Sequence, residues 1–190
     1  MITFLINNSR IFPKKWEKVG ESGKFIPIFA PKSHKDMSNP IGTFNCKLDS
    51  KGRLSLPADF REQLGEQADE FFVMRPGLHG TYLELYTMRD WLQQEEIFRK
   101  LNRFDKRTQQ MVRAYTDGSR RAKLDASGRI LIPKELLDRG KLSKDIVINS
   151  MVTSMEIWDK EIYDANVGSL SSEELAKGIE ELFAGFSFGS

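Results

Sequence analysis

The sequence predicts a mainly β protein with short helices, an α+β chain in which two copies of one small unit interleave about a pseudo-two-fold axis into a single closed barrel. Three observations carry that expectation: an internal repeat, an apolar alternation of period two opening each copy, and the same turn signal in both. Lys47-Leu48-Asp49-Ser50-Lys51-Gly52-Arg53-Leu54-Ser55-Leu56-Pro57 stands beside Lys123-Leu124-Asp125-Ala126-Ser127-Gly128-Arg129-Ile130-Leu131-Ile132-Pro133, and Lys, Leu, Asp, Gly, Arg and Pro coincide. The match continues from Pro57 to Gly65 against Pro133 to Gly140, and from Leu83-Glu84-Leu85-Tyr86 against Met155-Glu156-Ile157-Trp158.

Each copy begins with a strand, because Phe44, Cys46 and Leu48 alternate with polar residues in the first and Ala122 and Leu124 do so in the second. The Asp-x-x-Gly run that follows suits a short hairpin. Aspartate hydrogen-bonds forward to turn amides, and glycine accepts the left-handed conformation that a type I turn with a bulge requires. Asp49, Gly52, Asp125 and Gly128 are therefore read as turn-forming residues. On the next strand Leu54 and Leu56, or Ile130 and Ile132, share one face; Arg53 with Ser55, or Arg129 with Leu131, share the other.

Proline at a helix start and glycine past its end predict short helices from Pro57 to Leu64 and from Pro133 to Arg139, closed by Gly65 and Gly140. Two more strands follow in each copy, at 70–74 and 81–86, then at 145–149 and 154–158. Half-units this small cannot bury their own apolar faces, and closing two of them into one barrel also removes exposed strand edges.

Between the copies, Arg89 to Leu101 and Phe104 to Tyr115 read as a helical pair, the second carrying Phe104, Met111, Val112 and Tyr115 at helical spacing. Near the C-terminus, Ser172-Glu173-Glu174-Leu175 opens a helix with a cap-like serine and an acidic first turn, and Leu175, Ile179, Leu182 and Phe183 form an apolar stripe. The expected organisation is an extension over 1–41, a first repeat over 42–91, a helical connector over 92–118, a second repeat over 119–163 and a helical tail over 164–190. The extension is expected to be disordered or to lie ahead of a start at Met37.

At 190 residues, 39% apolar and 29% charged, the chain can bury a sizeable core. The apolar start at Met1 to Ile6 is too short for an export signal or a span, and the single Cys46 cannot pair internally, so the cytoplasm is expected. Charge is uneven: 7 Lys/Arg against 3 Asp/Glu in 1–36, 20 against 16 in 37–153, and 2 against 8 in 154–190. Any nucleic-acid reading must therefore rest on local placement.

The doubled Asp-x-x-Gly-Arg hairpin, followed by strand, proline and Phe60-Arg61-Glu62, resembles the MraZ family from about Gly42 to Tyr163. The resemblance implies a double-split, swapped-hairpin barrel of the AbrB-like kind and assembly into a ring-like homo-oligomer. It further implies transcriptional regulation, usually repression, through short direct repeats in double-stranded promoter DNA upstream of the division and cell-wall gene cluster, hence a nucleoid-associated protein. It assigns the DNA contact to Arg53 and Arg129. The N-terminal extension and the length of the tail depart from the family pattern.

An arginine directly after a tight turn sits on a rigid ribbon, and a two-stranded ribbon fits the DNA major groove, where guanidinium pairs bidentately with guanine or phosphate. Lys51, Lys47 and Lys123 are the accompanying phosphate candidates. The competing structural role for each arginine is an ion pair with its own Asp49 or Asp125. The run Arg99, Lys100, Arg103, Lys106, Arg107 and Arg113 is interleaved with Glu95, Glu96 and Asp105 and reads as a solvated helix face, and His34 and His79 read as loop residues.

An enzyme built on Asp49 and Asp125 as a proton-sharing dyad is disfavoured, because the arginine after each glycine would hold both carboxylates ionised. No catalytic activity, metal or cofactor is expected. The remaining alternative is a protein-interaction module on the same barrel, contacting its partner through the acidic tail and apolar stripe.

Overall fold

The computed structural model describes residues 16–19, 24–27 and 39–184. The chain divides into two units, residues 1–37 and 38–190, each described by itself. In the first, β1 (Trp16–Val19) and β2 (Lys24–Pro27) pair antiparallel, with Trp16 opposite Pro27 and Val19 opposite Lys24. The expectation of disorder departs from this pair; four-residue strands are too short to raise a period above the surrounding Lys and Gly. The rest of that expectation, for residues 1–15, 20–23 and 28–38, lies outside the described residues.

The second unit opens with a hairpin of β3 (Thr43–Leu48) and β4 (Arg53–Ser55), then α1 (Ala58–Leu64), a 3-10 turn at Gly65–Asp69, β5 (Phe71–Pro76), β6 (Leu83–Thr87) and α2 (Met88–Arg99). After α3 (Lys106–Thr116) the same order recurs as β7 (Arg120–Lys123), β8 (Arg129–Leu131), α4 (Lys134–Gly140), β9 (Asp145–Ser150), β10 (Met155–Asp159) and α5 (Lys160–Val167). The last described element is α6 (Ser172–Ala184).

The strands form one antiparallel sheet in the order β7-β5-β6-β10-β9-β3-β4-β8, and a bridge between Leu124 and Ile130 joins β8 back to β7, so the sheet closes into a barrel. The copies are exchanged strand for strand: β3 of the first lies on β9 of the second, and β5 of the first on β7 of the second. The equivalent strands β4 and β8 pair with each other around Leu54 and Ile130, and β6 and β10 around Glu84 and Glu156. Those two pairings mark the pseudo-two-fold axis.

Alternation drives the closure. Leu54, Phe72, Met74, Leu83, Leu85, Ile130, Ile146 and Ile148 all point inward and are fully buried, joined by Phe60 and Leu136 from the two short helices. Truncating any large side chain here costs about 2–5 kcal/mol. On the outer face of β5 and β6, Val73, Tyr86 and Trp91 form a second cluster, with Met88 and Tyr115 packed against it from α2 and α3. Beside it Arg75, 2% exposed, pairs with Glu84 and donates through Nε to the Tyr115 carbonyl at 3.0 Å, while the Tyr86 hydroxyl donates to Glu84 at 2.7 Å.

Several helix ends differ from expectation. Helix α4 runs through Gly140 and is ended by Lys141 in the left-handed region, φ 50. Gly140 instead serves close packing, since a Cβ there would lie 3.1 Å from Leu142 Cγ and 3.2 Å from Leu83 Cγ. Helix α2 is capped by Thr87, whose hydroxyl accepts from the Asp90 amide, and it crosses the expected boundary at 91/92 without a break. Its counterpart α5, capped by Asp159, was not expected. The serine that caps α6 is Ser171 rather than Ser172: its hydroxyl accepts the Glu174 amide at 3.2 Å, and Glu174 Oε2 accepts the Ser171 amide at 2.9 Å. The stripe of Leu175, Ile179, Leu182 and Phe183 is exposed, as are Phe104 and Met111 at α3.

Candidate nucleic-acid interface

The two hairpins are built alike, atom for atom. In the first, Asp49 Oδ1 accepts the amides of Lys51 (2.8 Å) and Arg53 (3.0 Å), and the Gly52 amide returns to the Asp49 carbonyl at 3.0 Å. In the second, Asp125 Oδ1 accepts the amides of Ser127 (2.8 Å) and Arg129 (3.1 Å), and the Gly128 amide returns to the Asp125 carbonyl at 2.9 Å. Gly52 (φ 76) and Gly128 (φ 72) take the left-handed conformation that closes each turn.

Each aspartate also holds its arginine. Arg53 Nε donates to Asp49 Oδ2 at 2.6 Å, and Arg129 Nε donates to Asp125 Oδ2 at 2.9 Å, with Arg129 Nη2 2.8 Å from the same oxygen. The ion-pair alternative is thus the geometry of both copies. The Arg53 amide and side chain, with the Lys51 amide, hold the Asp49 carboxyl down at about 2, and the Arg129 side chain and amide lower Asp125 in the same way. Both carboxylates stay ionised, which is incompatible with a shared proton.

Pairing ranges place the arginines together. Register sets Arg53 opposite Leu131 and Ser55 opposite Arg129, so all four share the outer face of β4 and β8. Lys47 lies level with Ser55, and the Leu124–Ile130 bridge brings Lys123 level with Leu131. Two rows result, Lys47–Ser55–Arg129 and Lys123–Leu131–Arg53, related by the pseudo-two-fold. An arginine uses one of its five N–H donors in an Nε contact, and a carboxylate that fixes Nε orients the rest of the planar group.

The lysines are less tightly held. Lys47 is exposed, 3.9 Å from Asp145; Lys51 is at the exposed tip of the first hairpin; Lys123 Nζ lies 5.5 Å above the Phe71 ring, which Arg121 also covers at 5.1 Å. The basic run on α2 and α3 is partly compensated within its own helix, Arg99 by Glu95 and Lys100 by Glu96. Sequence reasoning passed over Arg61, which the strand exchange brings against the second hairpin; only the swap, invisible in linear spacing, could have indicated it.

The family model described as MraZ protein matches residues 41–114 and 117–185. The chain belongs to the MraZ family. It is 39% identical over 151 residues to the Transcriptional regulator MraZ of Flavobacterium psychrophilum, covering 76% of this chain and 96% of that one. It is 36% identical over 152 residues to the Transcriptional regulator MraZ of Christiangramia forsetii, covering 80% and 97%. The protein of the same name from Clostridium tetani shares 35% over 143 residues, covering 75% and 97%. The MraZ match therefore takes in both hairpins, both swapped strand pairs and all of α6. Among the described residues, no helix of this MraZ-family chain is long and apolar enough to cross a membrane.

Proposed function

We propose that this chain is a sequence-specific, DNA-binding transcriptional regulator rather than an enzyme, and that it reads the major groove with the outer face of β4 and β8. The observation that carries this reading is the pair Arg53 and Arg129, presented on one face by two identical Asp-clamped turns. A guanidinium already oriented by a carboxylate loses little rotamer freedom on meeting guanine or phosphate. Lys47, Lys51 and Lys123 supply phosphate contacts around it. The relatives' printed name, Transcriptional regulator MraZ, supports the same reading.

The target is a set of short direct repeats upstream of the division and cell-wall gene cluster, the action is repression, and the location is the cytoplasm at the nucleoid. Two arginines per chain give modest affinity, so a ring-like homo-oligomer contacting several repeats gains effective concentration at each one. The exposed apolar stripe of α6 supports such self-association. The test is binding to a duplex from immediately upstream of its own gene against a scrambled duplex of equal length across a salt series. Preference for the upstream duplex with steep salt dependence supports the reading. Equal binding to both overturns it and favours the protein-interaction module.

A further inference from the structure

The two hairpin tips differ in one respect that the repeat conceals. At the first, Lys51 is part of the loop and Leu137 from α4 packs behind Gly52, where a Cβ would lie 3.1 Å from Leu137 Cδ1. At the second, the loop carries Ser127 instead of Lys51, and Arg61 from α1 stands where Leu137 stands at the first. A Cβ on Gly128 would lie 2.8 Å from Arg61 Cδ and Nε, so the side chain lies directly over the turn. Its Nε donates to the Leu56 carbonyl at 3.3 Å, and Leu56 is itself bonded through its amide to the Gly128 carbonyl at 3.1 Å.

We infer that Arg61 is a DNA-contacting residue of the second hairpin: the cation that this loop lacks is supplied across the pseudo-two-fold by the other repeat, to bind a backbone phosphate beside Arg129. This rests on the proposed DNA-binding function. Arg129 is already paired with Asp125, whereas Arg61 is exposed and, among the described residues, has no carboxylate partner. Arg61, Lys123, Asp125 and Gly128 line an open groove of about 600 Å³. Glu62 and Asp69 line it too, so the attraction for phosphate is local to the guanidinium rather than a property of the whole groove. With Arg61 counted, each tip carries one cation besides its motif arginine.

The test substitutes the residue that the fold already accepts at the equivalent place, Arg61→Leu, alongside Arg61→Lys and the double variant Arg61→Leu/Ser127→Lys. Binding of the full chain is measured by anisotropy on the upstream duplex and on a scrambled duplex from low to moderate salt, with thermal melts to confirm folding. A phosphate contact predicts that Arg61→Leu weakens both duplexes by a similar factor, roughly tenfold, and lowers the slope of log K against log salt by about one per bound hairpin. Arg61→Lys and the double variant restore the slope. Folded Arg61→Leu with unchanged affinity and slope overturns the inference, as does a slope that Ser127→Lys fails to restore. Arg129→Ala run beside them separates the two levels: if it too leaves binding unchanged, the proposed reading surface has failed, whereas loss there with a neutral Arg61→Leu sinks only the role of Arg61.

Discussion

The carbonyl of Gly52 accepts the amide of Ile132 at 2.9 Å, which fastens the tip of the first hairpin to the strand end of the second repeat. The converse bond runs from the Leu56 amide to the Gly128 carbonyl. Turn chemistry and barrel closure are therefore one structure, and a change at either glycine is felt in both repeats. Gly52→Ala places a side chain at φ 76 and brings its Cβ within 3.1 Å of the Ile132 carbonyl oxygen, a backbone atom held by the sheet. Left-handed backbone at a non-glycine residue costs about 1–3 kcal/mol. Gly128→Ala carries the same backbone strain, but the three atoms nearest its Cβ all belong to the movable Arg61 side chain. Urea denaturation is expected to show Gly52→Ala as the more destabilised of the two; the reverse order would contradict the interlock.

Arg75 and Glu84 form a buried pair on the outer face, and Glu84 lies directly opposite Glu156 in the register of β6 and β10. Two carboxylates meeting at the pseudo-two-fold are tolerable because Arg75 answers one of them, while burial and then the charge of Glu84 push Glu156 upward. Arg75→Ala leaves Glu84 buried and unpaired, a loss of about 3–5 kcal/mol. Adding Glu84→Gln should recover a large part of it. Chemical denaturation of the single and double variants checks this, and a double variant no more stable than Arg75→Ala would show that lost packing, not the stranded charge, is the cause.

Asp49 has a folded pKa of about 2 against an ordinary 3.8. A depressed folded value adds stability that is fully present above the unfolded pKa and disappears as pH falls through the folded one. The contribution is thus intact at neutral pH and lost between roughly pH 4 and 2. Asp49→Asn lacks it throughout, so its stability deficit relative to the unsubstituted chain should be constant above pH 5 and close on acidification below 4. A deficit that stays constant down to pH 2 would assign the role of Asp49 to its hydrogen bonds alone.

Much of this architecture was legible in the sequence because duplication repeats its signals. Alternation of Phe44, Cys46 and Leu48, the Asp-x-x-Gly turns and the prolines before α1 and α4 are local, and local signals survive in a linear reading. Helix α5 was missed because Lys160 to Val167 is only eight residues long and carries no sustained apolar stripe; its marker was the Asp159 cap. Gly140 was misread as a stop because composition does not distinguish a glycine needed for left-handed backbone from one needed for close approach. The encounter of Arg61 with Gly128, and of Glu84 with Glu156, arises from the strand exchange, which joins residues that no spacing along the chain relates.

Arg53 and Arg129 together are the proposed DNA-reading pair. Fluorescence anisotropy of Arg53→Ala, Arg129→Ala and the double variant on the upstream duplex, with melts to confirm folding, tests it most directly. Each single loss should cost about 1–3 kcal/mol of preference for that duplex over a scrambled one, and the double variant should show none. A folded double variant that keeps both its affinity and its preference would contradict the account.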